Sequence, residues 1–180
     1  MKRLSENSVI DIKNRSFSVT GTFDAPTDGP TEGVLVAQGG RFGGWALYLK
    51  SNRAKFVYNL LGLQEFVTEA EDDLGPGSHQ VRAEFAYDGG GLGKGGAVTL
   101  FYDGQAVGSG RVEATQAMIF SADETLDIGY EAGTPVSPDY TTHTSKFNGK
   151  LRWVQLDAGV DDHDHFVDPE ERWRVAMARQ

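Results

Sequence analysis

The sequence has no cysteine among its 180 residues. That absence excludes a disulfide framework, a cysteine zinc site, an iron–sulfur cluster and a thiol nucleophile. Long apolar runs are also missing: the longest stretches are a few residues, against the roughly 20 that a helix needs to cross a bilayer. Net positive charge is missing too. Lys and Arg number 17 against 26 Asp and Glu, a formal charge of −9, so neither a nucleic-acid backbone nor a membrane surface is an expected partner. Met1-Lys2-Arg3-Leu4-Ser5-Glu6-Asn7 carries two basic residues with no apolar stretch behind them. No signal peptide is expected there, and the cytoplasm is the default location.

Catalytic constellations are equally scarce. There is no Gly-x-Ser-x-Gly around a serine nucleophile. Glycoside hydrolysis needs two carboxylates facing each other. Glu124 and Asp127, or Glu124 and Glu131, are separated by odd numbers of residues and would leave opposite faces of a strand. No catalytic residue is assigned, and glycanase or sulfuric ester hydrolase activity ranks last.

What the sequence does have is a period of two. Phe17, Val19 and Phe23 alternate with Ser and Thr; Trp45, Leu47 and Leu49 alternate, as do Phe56, Tyr58 and Leu60. Val81, Ala83 and Phe85 repeat the pattern, followed by Val98, Leu100 and Tyr102. Leu151 and Trp153 share one parity and Val154 and Leu156 the other, which reads as a strand covered on both faces. Such runs put one face on a core. Asp103-Gly104 is a two-residue hairpin signal, and Asn52 suits a left-handed position in the Lys50–Arg53 link. Asp28-Gly29-Pro30, Gly75-Pro76-Gly77 and Asn148-Gly149 mark further turns. Ten to twelve short strands at this spacing predict an all-β sandwich or barrel.

One helix is expected, at the C-terminus. Asp168 can cap it, Pro169 fits its first turn and Glu171 completes a capping box. Trp173, Ala176 and Met177 form its apolar stripe. The expected organisation is a β-sandwich over 1–166 and a helical tail over 167–180, packed on it or on a partner.

Four segments invite a functional reading. Gly91-x-Gly93-x-x-Gly96 matches a dinucleotide fingerprint formally, but a strand rather than a helix follows it, and a flexible β–β loop is the favoured reading. Glu69, Glu71, Asp72 and Asp73 offer calcium-type oxygen ligands or simply a solvated loop. Asp161-Asp162-His163-Asp164-His165 reads either as a divalent-metal site, with Asp162, His163, Asp164 and His165 as ligands, or as a polar connector. No other cofactor is expected. Around Gln38-Gly39-Gly40-Arg41-Phe42-Gly43-Gly44-Trp45, Arg41 can fork onto a carboxylate or sulfate. Gln38, Phe42, Trp45, Tyr48 and Tyr58 would extend it into a sugar platform or a protein contact. The competing reading makes Trp45 core and the glycines a bulge.

Val34–Tyr48, Tyr87–Gly96, Phe120–Tyr140 and Phe147–Gln155 together resemble the C-terminal region of large bacterial arylsulfatases. The likeness runs nearly end to end, through Asp162-His163-Asp164-His165 and the Asp168–Gln180 tail. Leu126-Asp127-Ile128-Gly129 followed by Phe147-x-Gly149-x-Leu151 resembles the closing strands of laminin-G-type sandwiches. The resemblance implies a concanavalin A-like jelly-roll sandwich of two antiparallel sheets. It also implies a partner, a sulfatase catalytic domain or another protein. The formylglycine motif, Cys/Ser-x-Pro-x-Arg, is absent: Ser137-Pro138 is followed by Asp139-Tyr140. The expectation is therefore a non-catalytic accessory domain. The alternative is a free-standing carbohydrate-binding module for sulfated or acidic glycans.

Overall fold

The computed structural model describes residues 4–121 and 125–159. The expected C-terminal helix, the boundary near residue 166, Glu124 and the Asp161–His165 segment lie outside the described residues. Within them are ten strands: β1 (Phe17–Ala25), β2 (Gly33–Gly40), β3 (Gly43–Lys50), β4 (Arg53–Leu60), β5 (Gln64–Glu69), β6 (Gly77–Tyr87), β7 (Lys94–Tyr102), β8 (Gln105–Ala114), β9 (Leu126–Ile128) and β10 (Lys150–Ala158). The first sheet has the order β10-β1-β6-β7-β8 and the second β5-β4-β3-β2-β9. Every neighbouring pair is antiparallel. The chain is thus an all-β jelly-roll sandwich.

The turns follow their chemistry. Asp103 and Gly104 both take positive φ, 50° and 85°, and join β7 to β8, the twist that a two-residue hairpin needs. Ser51 and Asn52 do the same between β3 and β4, at 50° and 69°. Gly89–Gly93 is a β–β loop between β6 and β7, braced by Tyr87, whose hydroxyl donates to Gly91 O at 2.6 Å and accepts from Lys94 N at 2.9 Å.

The inward faces meet in one core. Trp45 packs on Phe17 and Phe56, with ring centroids 5.8 and 6.1 Å away. Each such ring removes roughly 150–250 Å² from water, on the order of 4–6 kcal/mol of transfer free energy. In β10 the register shifts so that Thr22 faces Trp153 but Phe23 faces Leu151. The extra residue, Arg152, makes a bulge. Leu151, Val154 and Leu156 all pack on this core despite their mixed parity, so the two parities in the sequence record a bulge rather than a strand covered on both faces.

The second sheet carries a further apolar layer on its outside. Val34, Ala37, Ala46, Tyr48 and Val57 meet Val136 and Tyr140 there. The latter two belong to the segment between β9 and β10. Buried Glu131 holds that segment in shape, accepting from Val136 N at 3.0 Å and from the Tyr140 hydroxyl at 2.6 Å. Burial, with the Glu131 charge beside it, pushes the Tyr140 phenol far above its ordinary range and keeps it a donor. Along one flank the edges of the two sheets abut. Glu71 N donates to Val107 O at 2.7 Å, and methyl groups on Gly108 or Gly110 would overlap the Glu69 carbonyl or the Thr68 side chain.

Candidate functional site

The six residues around the glycine-flanked turn are divided by the fold. Trp45 is fully buried, and Tyr58 is 3% exposed; both are in the main core. Trp45 Nε1 donates to Gln38 Oε1 at 3.1 Å, inside the protein. Tyr48 points the other way but is covered by Tyr140, 5.1 Å between ring centroids, and its hydroxyl donates to Asp139 Oδ2 at 2.8 Å. These four residues do not form an open platform, because β3 has a packed layer on each face. Gly39 and Gly44 have positive φ, 93° and 148°, and each has the other's backbone where a Cβ would stand. Only Arg41 and Phe42 of the six reach the surface.

Arg41 lies on a cleft of about 380 Å³, bounded by Asn59, Gly62, Glu65, Tyr140 and the Pro135–Pro138 segment. Its backbone N–H donates to Thr134 Oγ1 at 3.0 Å, while its guanidinium has no ion-pair partner among the described residues. Arg53, Arg82, Arg111 and Arg152 do have such partners. Asn59 ties the walls together. Its Nδ2 donates to Arg41 O at 3.2 Å and Val136 O at 2.9 Å, and its Oδ1 accepts from Gly62 N at 2.8 Å. One buried amide thus joins the β2–β3 turn, the β4–β5 turn and the outer segment. Burial, together with the nearby Asp139 charge, raises the Glu65 carboxyl above its ordinary range. For Asp139, burial works upward, but hydrogen bonds from Lys55 and Tyr48 outweigh it and hold the group low. Phe42, Leu61 and Leu63 are 72%, 47% and 86% exposed at the two turn tips.

A second cleft, of about 510 Å³, opens where β1, β6 and β10 end beside the β7–β8 turn. Thr22, His79, Gln80, Asp103, Arg152 and Trp153 line it. Asp103 is held at both oxygens, by Gln80 N at 2.7 Å and His79 Nδ1 at 2.8 Å. Arg152 grips Asp24 through Nε and Nη2, at 2.8 to 3.2 Å, and those hydrogen bonds keep the Asp24 carboxyl low.

Other candidates carry less. Glu69 pairs with Lys55 at 3.3 Å and Asp73 with Arg53 at 2.7 Å, so the acidic run is partly neutralised by neighbours. Among the described residues no group of three or more His, Cys, Asp and Glu could hold a metal ion. No helix among them is long and apolar enough to cross a membrane. Ser137 is buried, its hydroxyl 3.4 Å from that of Tyr48 and accepting from Asp139 N at 3.3 Å.

Sequence reasoning missed Asn59, Glu65, His79 and Trp153 as site residues. Asn59 had one signal: it shares its parity with Lys55 and Val57 at the end of an apolar strand, where an amide needs partners. The His79–Asp103 pair had none, since residues 24 apart meet only once the sheet has formed.

No family model matches the chain, and no curated protein matches it. Solved structures do. A heptameric SAP-like pentraxin from Limulus polyphemus superposes with TM-score 0.53 at 16% identity, over 84% of this chain and 68% of the pentraxin. The LG4-5 domains of the mouse laminin α1 chain give 0.57 at 16%, over 86% of this chain and 39% of that one. The Ruminococcus gnavus IT-sialidase CBM40 bound to α2,3-sialyllactose gives 0.56 at 13%, over 91% and 83%. At such identities the fold is what is shared, and it is the concanavalin- and laminin-G-like sandwich.

Proposed function

We propose that this chain is a non-catalytic, lectin-like binding module that takes the acidic group of a glycan at Arg41. The observation that carries the reading is an uncompensated guanidinium on a cleft whose walls are fixed by a buried asparagine. A planar fork of donors matches a carboxylate or sulfate, and charge-assisted hydrogen bonds of this kind are worth about 1.5–3 kcal/mol. The cleft falls within the roughly 300–1,000 Å³ usual for small-ligand sites. Sialyllactose, held by the CBM40 neighbour, is an acidic glycan of the class meant here. The test is calorimetry with sulfated, sialylated and neutral oligosaccharides. Arg41→Ala should weaken acidic ligands about 10- to 100-fold. Wild-type affinity in that variant, or no acidic ligand tighter than millimolar, would overturn the proposal.

A second reading, an accessory domain seated on a sulfatase catalytic domain, is favoured by the exposed Phe42, Leu61 and Leu63 tips and by the end-to-end resemblance. Exposed apolar clusters of this sort mark contact surfaces. Co-expression with a sulfatase catalytic domain should give a complex that Leu63→Asp disrupts; failure to co-purify would remove this reading.

A further inference from the structure

We propose that one end of the sandwich is a membrane-docking face, which sets apolar loop tips into a bilayer with an anionic surface. The proposal goes beyond the glycan reading. It uses Arg41 as one of several cations and stands whether or not the Arg41 cleft takes a sugar.

The first observation is where the exposed apolar side chains fall. Among the described residues eight large hydrophobics are exposed, and six of them stand on four loops: Phe42, Leu61, Leu63, Leu92, Met118 and Ile119. Met118, Leu92 and Ile119 are 76%, 68% and 48% exposed. These loops meet. A methyl on Gly62 would lie 2.9 Å from Arg41 O and 3.5 Å from the Phe42 ring, and one on Gly43 would lie 2.8 Å from Phe120 O. Asn14 joins the segment after β8 to the β6–β7 loop: its Nδ2 donates to Ala117 O at 2.9 Å and its Oδ1 accepts from Gly93 N at 2.8 Å. An apolar cluster of this kind marks a contact surface. Leu61 is also held at a cost. Its φ is 58°, a left-handed conformation that strains a leucine, and it is half exposed there.

The second observation is local charge. Arg15, Arg41 and Lys94 are exposed at this end and form no ion pair among the described residues. The acids beside them are held: Glu6 and Asp11 by Lys13, and Asp88 and Glu113 by Arg111. Glu65 remains, in the Arg41 cleft. The formal charge of −9 does not oppose an anionic surface here. A strand of eight residues spans roughly 26 Å, about three Debye lengths at physiological salt, so acids at the far end are screened.

Both features suit a bilayer better than a protein. Two of the cations adjoin apolar tips: Arg41 precedes Phe42, and Lys94 follows Leu92 by two residues. Membrane interfaces take this mixture, with charged heads among the lipid headgroups and apolar tips below them. The core of a protein interface is instead depleted of charge. A fluid bilayer also receives side chains from four separate loops without a complementary shape.

The test mixes the full chain with vesicles of phosphatidylcholine, plain or with about one lipid in ten replaced by phosphatidylglycerol. Sedimentation should show binding to the anionic vesicles that weakens severalfold as salt rises through the physiological range. Leu63→Asp and Met118→Asp should each weaken it at least about tenfold. Both side chains are exposed, so both variants should keep the wild-type thermal transition. Leu63→Trp should be quenched by brominated acyl chains, which adsorption by charge alone would not produce. Met118→Asp should bind soluble sulfated oligosaccharides like wild type, which keeps failure of this face distinct from failure of the Arg41 cleft. The proposal is overturned if neither vesicle binds the chain at millimolar lipid, or if brominated chains leave Leu63→Trp unquenched. It is also overturned if either aspartate variant, folded by its thermal transition, binds anionic vesicles as well as wild type. Capture of a sulfatase catalytic domain through Leu63, with no vesicle bound, would overturn it too.

Discussion

The two clefts differ most in how their charges are settled. At the second sheet, Arg41 shares its cleft with Glu65 but forms no ion pair among the described residues. At the first, Arg152 is matched by Asp24 before any ligand arrives. One arginine is thus open to an anion and the other already answered, through pairing alone. An arginine's presence in a pocket says little until its partner is counted.

The comparison can be broken experimentally, and the largest effect should come from Asn59. Asn59→Ala removes three hydrogen bonds made by one buried amide and should cost about 2–4 kcal/mol, lowering Tm by roughly 5–15 °C. Thermal unfolding checks this, and the variant should lose acidic ligands. Next comes salt. Raising ionic strength from 0.01 to 0.15 M shortens the Debye length from about 30 to about 8 Å. Calorimetry should show acidic-ligand affinity falling severalfold. Arg41→Ala should leave Tm within about 1 °C, since an exposed, unpaired cation contributes little to stability.

The smallest effect concerns pH. With its carboxyl raised above the ordinary glutamate range by burial and by Asp139, Glu65 is neutralised earlier on acidification than a free glutamate. Its share of stability is full at low pH and is lost as pH rises through the raised value. Asp139 runs the opposite way, since its lowered carboxyl stabilises at neutral pH and that share is lost as pH falls through the folded value. A sulfate ester stays ionised throughout. Its affinity at Arg41 should therefore rise about two- to threefold from pH 7 to pH 4.5 as the facing charge of Glu65 disappears. Glu65→Gln should abolish that rise.

Much of the sandwich was legible in the sequence. Alternation at Phe17–Phe23, Trp45–Leu49 and Val81–Phe85 gave strands because a half-buried sheet demands a period of two, and Asp103-Gly104 gave its hairpin. The site was legible only at Arg41. Glycines marked its turn, but Trp45, Tyr48 and Tyr58 read equally well as platform or core. Trp45 and Tyr58 turn into the core between the sheets, and for Tyr48 the cover is Tyr140 and Val136, some ninety residues away, closing over the outside of β3. Local patterning cannot report a second cover. Asp103 shows the same gap: it is a turn former by propensity, and its carboxylate meets His79 only because β6 brings that ring alongside.

The abutting flank between β5 and β8 has a consequence for solubility. A bare strand edge is a template for a foreign strand. Here the two edges are pressed together at Gly108 and Gly110, so neither offers its template to another molecule. An alanine at either glycine would wedge that seam apart and hand the solvent two sticky ribbons at once, turning the molecule's quietest side into its most aggregation-prone.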